Sequence, residues 1–329
     1  MNDKILENLV NTNPEIEQKE YMIRCLNLLE KIIPDDCKEN IYRNIKSLKA
    51  ILNIDIDLSN TTKDIVGYAR YTGYDIVNNS LVMDEKTLKD LWKKAKMHTN
   101  PKDYYWKYYL QILLYELSRM ASSKYDKETD TFWCGFDKYP ATSINDKNKG
   151  LTKGLTEIIS MELVLGTNII FSECYIEICL INQLIQLVGK EVFLKSYFSN
   201  KGTKLLEQEL NKIIYNPTLA SYIFKNIEIN YNIRMVSEQH SILGSIQLTL
   251  LKYLDVKINE LLIEEKYEDV SKLISNYEKY VITLDKLQLI GEDYTKYIGL
   301  ERSIIRFNEI KEKYDKHLNG YSRKLIIDG

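Results

Sequence analysis

Glycine and proline, the residues that β-rich folds need in their turns, are scarce in this sequence. Only 13 glycines and 5 prolines occur among 329 residues. Because tight turns depend largely on these two residue types, little of the chain can form turn-rich β architecture. Stripes of apolar residues at three- and four-residue spacing are frequent, for example Leu251, Leu254 and Ile258. That spacing gathers apolar side chains on one helical face, so the sequence predicts a predominantly helical fold.

The first part of the chain combines helices with a small sheet. Residues 1–53 are predicted to form a helical segment, in which Asn13-Pro14 carries the signature of a helix cap followed by proline. Apolar and acidic residues then alternate from Ile54 to Leu58, with the period of a strand. Further β-branched and aromatic residues follow, and Asn78-Asn79 can turn the chain back. We therefore expect a mostly antiparallel sheet at about 54–83.

Helical patterns return after the sheet and continue to the end of the chain. Helices are predicted at about 101–123 and 151–165, within a domain that spans 54–235. The segment 124–149 has weak periodicity, and its length predicts a functional loop. Residues 236–329 carry long amphipathic stripes with short connections, which predicts antiparallel helical hairpins. The expected fold class is α+β, predominantly α-helical.

Charge and cysteine content narrow the classes of partner and compartment. Forty-five basic and 47 acidic residues give a formal net charge of −2, so no basic excess is present to bind nucleic acid. No apolar run is long enough to span a membrane, and the charged beginning MNDKILENLV is unlike a secretory signal. We expect a cytoplasmic protein with reduced thiols. Its five cysteines are Cys25, Cys37, Cys134, Cys174 and Cys179.

Two short motifs lie on the helices predicted at 101–123 and 151–165. The first is Tyr115-Glu116-Leu117-Ser118-Arg119, and the second is the segment GLTKGLTE at 150–157. Together they resemble the bacterial zinc metallopeptidases of the gluzincin, thermolysin-like type. In that family the first helix carries HExxH, and the second often reads G-L-N-E-G-x-T-E. The resemblance covers about 110–200 and implies a metallopeptidase-like helix pair.

The chemistry of a zinc peptidase explains this spacing. Two histidines four residues apart lie on the same helical face and reach one Zn²⁺ ion. The glutamate between them activates the metal-bound water as general base. A glutamate on the second helix is the third protein ligand. An acid four residues further on orients a ligand histidine.

All three zinc ligands are replaced when the family pattern is carried over to this chain. Tyr115 and Arg119 stand at the two histidine positions, and Lys153 stands at the position of the ligand glutamate. Glu116 and Glu157 keep the positions of the general base and the orienting acid. Arginine is always protonated and has no acceptor atom, so it will not bind Zn²⁺. The resemblance therefore implies vestigial carboxylates without a metal or other cofactor.

The replacements also suggest how the helix pair could persist without zinc. Loss of Zn²⁺ removes two positive charges from beside Glu116 and Glu157, and Arg119 with Lys153 restores two. We expect a charge cluster of these four side chains at the former metal site. A simpler interpretation is that Glu116 and Arg119 form an ordinary surface pair at i,i+3 spacing.

Three functional hypotheses remain open from the sequence. The first is a catalytically inactive metallopeptidase-like protein that binds a peptide or protein partner, or acts as a regulatory or scaffolding component. In active gluzincins the substrate pairs with an edge strand, and the sheet at 54–83 could supply that edge. The second is an active hydrolase with an unusual metal site or another nucleophile. The third is a helical interaction protein whose motifs match by chance.

Overall fold

Helices account for most of the chain that this computed structural model describes. The described residues are 18–38, 73–75, 80–82, 97, 104–126, 128–140, 147–165, 174–199, 201–233, 236–287 and 298–328. The helices are α1 (Gln18–Ile32), α2 (Tyr104–Ala121), α3 (Lys149–Leu165), α4 (Tyr175–Val188), α5 (Lys190–Ser199), α6 (Lys204–Ile213), α7 (Pro217–Asn232), α8 (Val236–Ile263), α9 (Tyr267–Leu287) and α10 (Ile298–Asp328). The predicted helical predominance is confirmed.

Local sequence signals account for where several helices begin and end. The Asn216 side chain accepts a hydrogen bond from the Leu219 backbone N–H at 3.0 Å, and Pro217 occupies the first helical turn of α7. Asparagine and proline are favoured at these positions because they satisfy or dispense with the first N–H groups. Helix α1 ends at Ile32, two residues before Pro34. The helix start that was predicted at Asn13 lies outside the described residues.

A short hairpin lies within the segment where a sheet was predicted. Strands β1 (Gly73–Asp75) and β2 (Ser80–Val82) pair antiparallel, with Tyr74 opposite Leu81. This agrees with the predicted reversal of the chain at Asn78-Asn79. The remainder of the sheet predicted at 54–83 lies outside the described residues.

A second antiparallel sheet occupies part of the segment that was predicted to be a loop. Strands β3 (Ser123–Asp126), β4 (Thr131–Cys134) and β5 (Asp137–Tyr139) form a three-stranded sheet in sequence order. The loop prediction for 124–149 is therefore wrong over these strands. Short strands leave little room for a period of two to show, and their polar residues favoured the loop interpretation. A small, mostly antiparallel sheet alongside helices is confirmed as the architecture.

The chain groups into two compact units. The first comprises Met1–Lys147, Thr152–Tyr175 and Leu194–Gly202, and its core includes fully buried Phe136 and Tyr197. The second comprises Asn148–Leu151, Ile176–Phe193 and Thr203–Gly329. The domain boundaries predicted after residues 53 and 235 stay a prediction.

Long helices dominate the second unit, where α8 packs along α10. Tyr314 of α10 donates a hydrogen bond to the Asp255 carboxylate on α8 at 2.7 Å, and Arg306 donates to the same carboxylate at 3.1 Å. A different contact joins α4 to α8. The amides of Gln183 and Gln247 hydrogen-bond reciprocally, at 2.9 and 2.5 Å, and both side chains are buried. The amphipathic stripes predicted for 236–329 thus form packed helices.

None of the described helices is both long enough and apolar enough to cross a lipid bilayer.

Candidate functional site

Half-exposed side chains along α2 form a polar stripe. Between Gln111 and Ala121 most side chains are buried, and the polar ones that reach solvent are Gln111, Tyr115 and Arg119. These three are four residues apart, so they lie on one face over two helical turns. The stripe therefore contains both positions at which a gluzincin carries histidine.

Helix α3 carries a matching pair of half-exposed residues. From Gly150 to Met161 every side chain is buried except those of Lys153 and Glu157. They are also four residues apart and share one face. The remaining positions of this stretch, such as Leu155 and Ile159, belong to the core. The two residues that the resemblance singled out on α3 are thus the partly exposed ones of this stretch.

One hydrogen bond joins the two stripes. Gln111 Nε2 donates to Glu157 Oε2 at 3.1 Å, across 46 positions of sequence. We call Gln111, Tyr115, Arg119, Lys153 and Glu157 the polar cluster.

Arg119, a member of the polar cluster, forms an ion pair with Glu116, which is not a member. Arg119 Nη1 donates to Glu116 Oε2 at 3.1 Å, and the Glu116 side chain is only 8% exposed. Burial alone would lower the pKa of Arg119, but the nearby Cys134, Glu116 and Tyr115 raise it overall, so the guanidinium stays charged. A carboxylate so deeply buried distinguishes this pair from an ordinary surface pair at the same spacing.

Tyr115 is a neutral hydrogen-bond donor in this setting. Burial raises the pKa of its phenol well above the usual value. The positive charge of Arg119 lowers the pKa of Tyr115, whereas the negative charges of Glu116 and Glu157 raise that pKa further. The phenol therefore keeps its proton at physiological pH.

The sheet holds the end of α2 through the backbone carbonyl of Arg119. Ser122 Oγ and Ser123 Oγ donate to that oxygen at 2.9 and 2.8 Å, and Cys134 Sγ donates at 3.5 Å. The last carbonyls of a helix lack partners within the helix, and these contacts supply them. The backbone at Arg119 is thereby fixed independently of its side chain.

The same sheet also holds α3. Thr152 Oγ1 donates to the Cys134 carbonyl at 3.3 Å and accepts from the Phe136 N–H at 3.1 Å. The hydroxyls of Thr156 and Tyr197 are 2.8 Å apart and hydrogen-bonded. The turn between β4 and β5 therefore contacts α3 directly, and strand β4 contacts α2 through Cys134.

The residues at the positions that the resemblance assigns to zinc ligands do not fit a zinc ion. Zinc sites in proteins use thiolate, imidazole and carboxylate donors. Arg119 offers only N–H donors and is committed to Glu116, and Tyr115 resists loss of its proton. In the described part of the chain no group of three histidine, cysteine, aspartate or glutamate side chains is arranged to hold a metal.

The buried cysteines do not favour the alternative of a thiol nucleophile. None of the five forms a disulfide, and all are buried. Burial raises the pKa of Cys25 to about 12 and that of Cys179 to about 12, and it also raises the pKa of Cys134. A reactive cysteine needs a lowered pKa and access to substrate.

The structure joins predicted site residues of α2 and α3 through a residue that was not predicted. Tyr115, Glu116 and Arg119 meet on α2, and Lys153 and Glu157 share a face of α3. The expected pairing of Arg119 with Glu116 is present. The expected charge cluster that includes Lys153 stays a prediction. Gln111, which hydrogen-bonds Glu157, was missed because a contact across 46 positions leaves no local signal. Its only hint in the sequence is its place one turn before Tyr115.

Comparison of the chain with known proteins adds no relative. It matches no protein-family model, no curated protein and no solved structure. The resemblance to gluzincins thus rests on the two motifs and on the helices that carry them.

Proposed function

We propose that this protein is a metallopeptidase-like pseudoenzyme, which binds a peptide or protein partner and has no zinc-dependent peptidase activity. The proposal is supported above all by the buried ion pair of Arg119 with Glu116. Glu116 stands where a gluzincin has its general base. Here a guanidinium engages that carboxylate at the position where the family has a metal ligand.

The engaged carboxylate is poorly suited to catalysis. A general base must reach the proton that it removes, and in zinc peptidases that proton belongs to a metal-bound water. In this chain Glu116 engages the guanidinium of Arg119 instead of a metal-bound water. Without Lewis-acid activation, a single carboxylate has little power to hydrolyse a peptide bond.

Binding is the function that the same geometry suits better. The polar cluster remains half-exposed and presents donors and acceptors on two helices that the sheet holds in place. Such a preorganised surface can bind a polar peptide chain without catalysing a reaction. The proposal includes a cytoplasmic location, because five thiols without a disulfide suit a reducing compartment.

The test is the metal content of untagged protein, purified without chelator and measured by plasma mass spectrometry, together with a peptidase assay. We expect zinc well below one equivalent and no hydrolysis of a denatured protein substrate. Glu157→Gln should change neither result. Glu162→Gln, the same substitution elsewhere on α3, is the matched control. Equimolar zinc that is lost in Glu157→Gln but kept in Glu162→Gln would overturn the proposal.

A further inference from the structure

Arg119 uses only part of its hydrogen-bonding capacity within the described chain. A guanidinium carries five N–H donors. Only Nη1 has an acceptor among the described residues, the Glu116 carboxylate at 3.1 Å. The side chain is 26% exposed, so part of it is accessible to a ligand. An arginine that is largely buried with unused donors is suited to an oxygen-bearing anion.

Tyr115 provides a second unused donor on the same face. It lies one turn before Arg119, and its hydroxyl has no hydrogen-bond partner among the described residues. The phenol keeps its proton, as shown above, and its side chain is half-exposed. The two positions at which a gluzincin would bind a cation therefore both present donors to an incoming group.

The balance of charge limits which anion these donors can take. Arg119 and Lys153 carry two positive charges, and Glu116 and Glu157 carry two negative charges. These four charges sum to zero, so each negative charge on a ligand adds repulsion, and a monoanion meets less of it than a dianion. A carboxylate carries one negative charge, and its planar geometry matches the guanidinium edge in a bidentate contact.

We propose that the polar cluster binds the C-terminal carboxylate of a peptide, with Arg119 and Tyr115 donating to its two oxygens. This inference rests on the proposed function and names the chemical group that the site recognises. Glu157, held by Gln111, borders the site and disfavours a ligand with a second negative charge.

The experiment compares two fluorescein-labelled pools of randomised hexapeptides, one ending in a free carboxylate and one in an amide. Fluorescence anisotropy with the full chain should give at least tenfold tighter binding of the carboxylate pool. Tyr115→Phe, which removes only the hydroxyl, should reduce that preference several-fold. Arg119→Gln should abolish it. Arg302→Gln, at an exposed position of α10, should leave it unchanged.

Each other outcome has a distinct meaning. Equal binding of both pools would overturn the carboxylate site while leaving peptide binding intact. Binding of neither pool would overturn both proposals. Competition by inorganic phosphate that is stronger than competition by N-acetylglycine would overturn the preference for a monoanion. If Arg119→Gln does not fold, as judged by circular dichroism, an unaltered preference in Tyr115→Phe still refutes the inference.

Discussion

The ion pair between Arg119 and Glu116 allows a quantitative test through the substitution Arg119→Met. Arg119 Nη1 and Glu116 Oε2 are 3.1 Å apart. At an effective dielectric constant of about 20, unit charges at that distance attract by about 5 kcal/mol. Desolvation of both groups offsets much of this attraction, but removal of one partner leaves a buried carboxylate uncompensated. Since Arg119 keeps some contact with water, we expect a loss at the lower end for buried pairs, about 3 kcal/mol.

Urea denaturation followed by circular dichroism measures this loss, and the melting temperature should fall by about 4 °C. The double substitution Arg119→Met with Glu116→Gln should recover a large part of the stability, because no buried charge remains. Lys212→Met is the matched control. Lys212 pairs with Glu209 at the same i,i+3 spacing but is 70% exposed, so its loss should be below about 0.5 kcal/mol. Equal losses for the two single variants, or no recovery in the double variant, would refute the reasoning.

Two further sets of variants test the packing, each by equilibrium urea denaturation. Gly135 has φ +60°, and a Cβ there would stand 2.8 Å from Tyr197 Cδ2, so Gly135→Ala should lose at least about 2 kcal/mol. Gly189→Ala, at φ +91° but in open space, should lose about 1 kcal/mol; a larger loss there than at Gly135 would contradict the steric argument. Gln183→Leu should lose about 1–3 kcal/mol by orphaning Gln247, and replacing both by leucine should restore most of it. A double variant as unstable as the single one would contradict the pairing.

The helices were predictable because their signals are local and repeated. A stripe such as Val270, Leu273, Ile274 and Tyr277 sustains its period over several turns, and all four side chains are buried in α9. The second sheet gave no comparable signal, because strands of three or four residues show at most two alternations. One turn did carry a usual marker. Gly135-Phe136 joins β4 to β5 with a positive φ at glycine, as two-residue hairpins require.

The candidate site was predictable as a set of positions but not as a set of contacts. Spacing alone places Tyr115 with Arg119, and Lys153 with Glu157, because residues four apart share a helical face. Spacing does not reveal the acceptor of a side chain on another element. The bond from Gln111 to Glu157 and the three donors on the Arg119 carbonyl depend on tertiary structure, which a single sequence does not encode in any local pattern.

The reciprocal amide pair of Gln183 with Gln247 makes the contact of α4 with α8 insensitive to salt and to pH. Neither amide carries a charge or titrates, and both are shielded from water. Dissolved ions screen charges but leave such neutral hydrogen bonds almost untouched. Acidification that would protonate carboxylates likewise changes nothing in this pair. The alignment of these two helices is therefore fixed by an interaction that stays constant through changes in ionic strength and acidity.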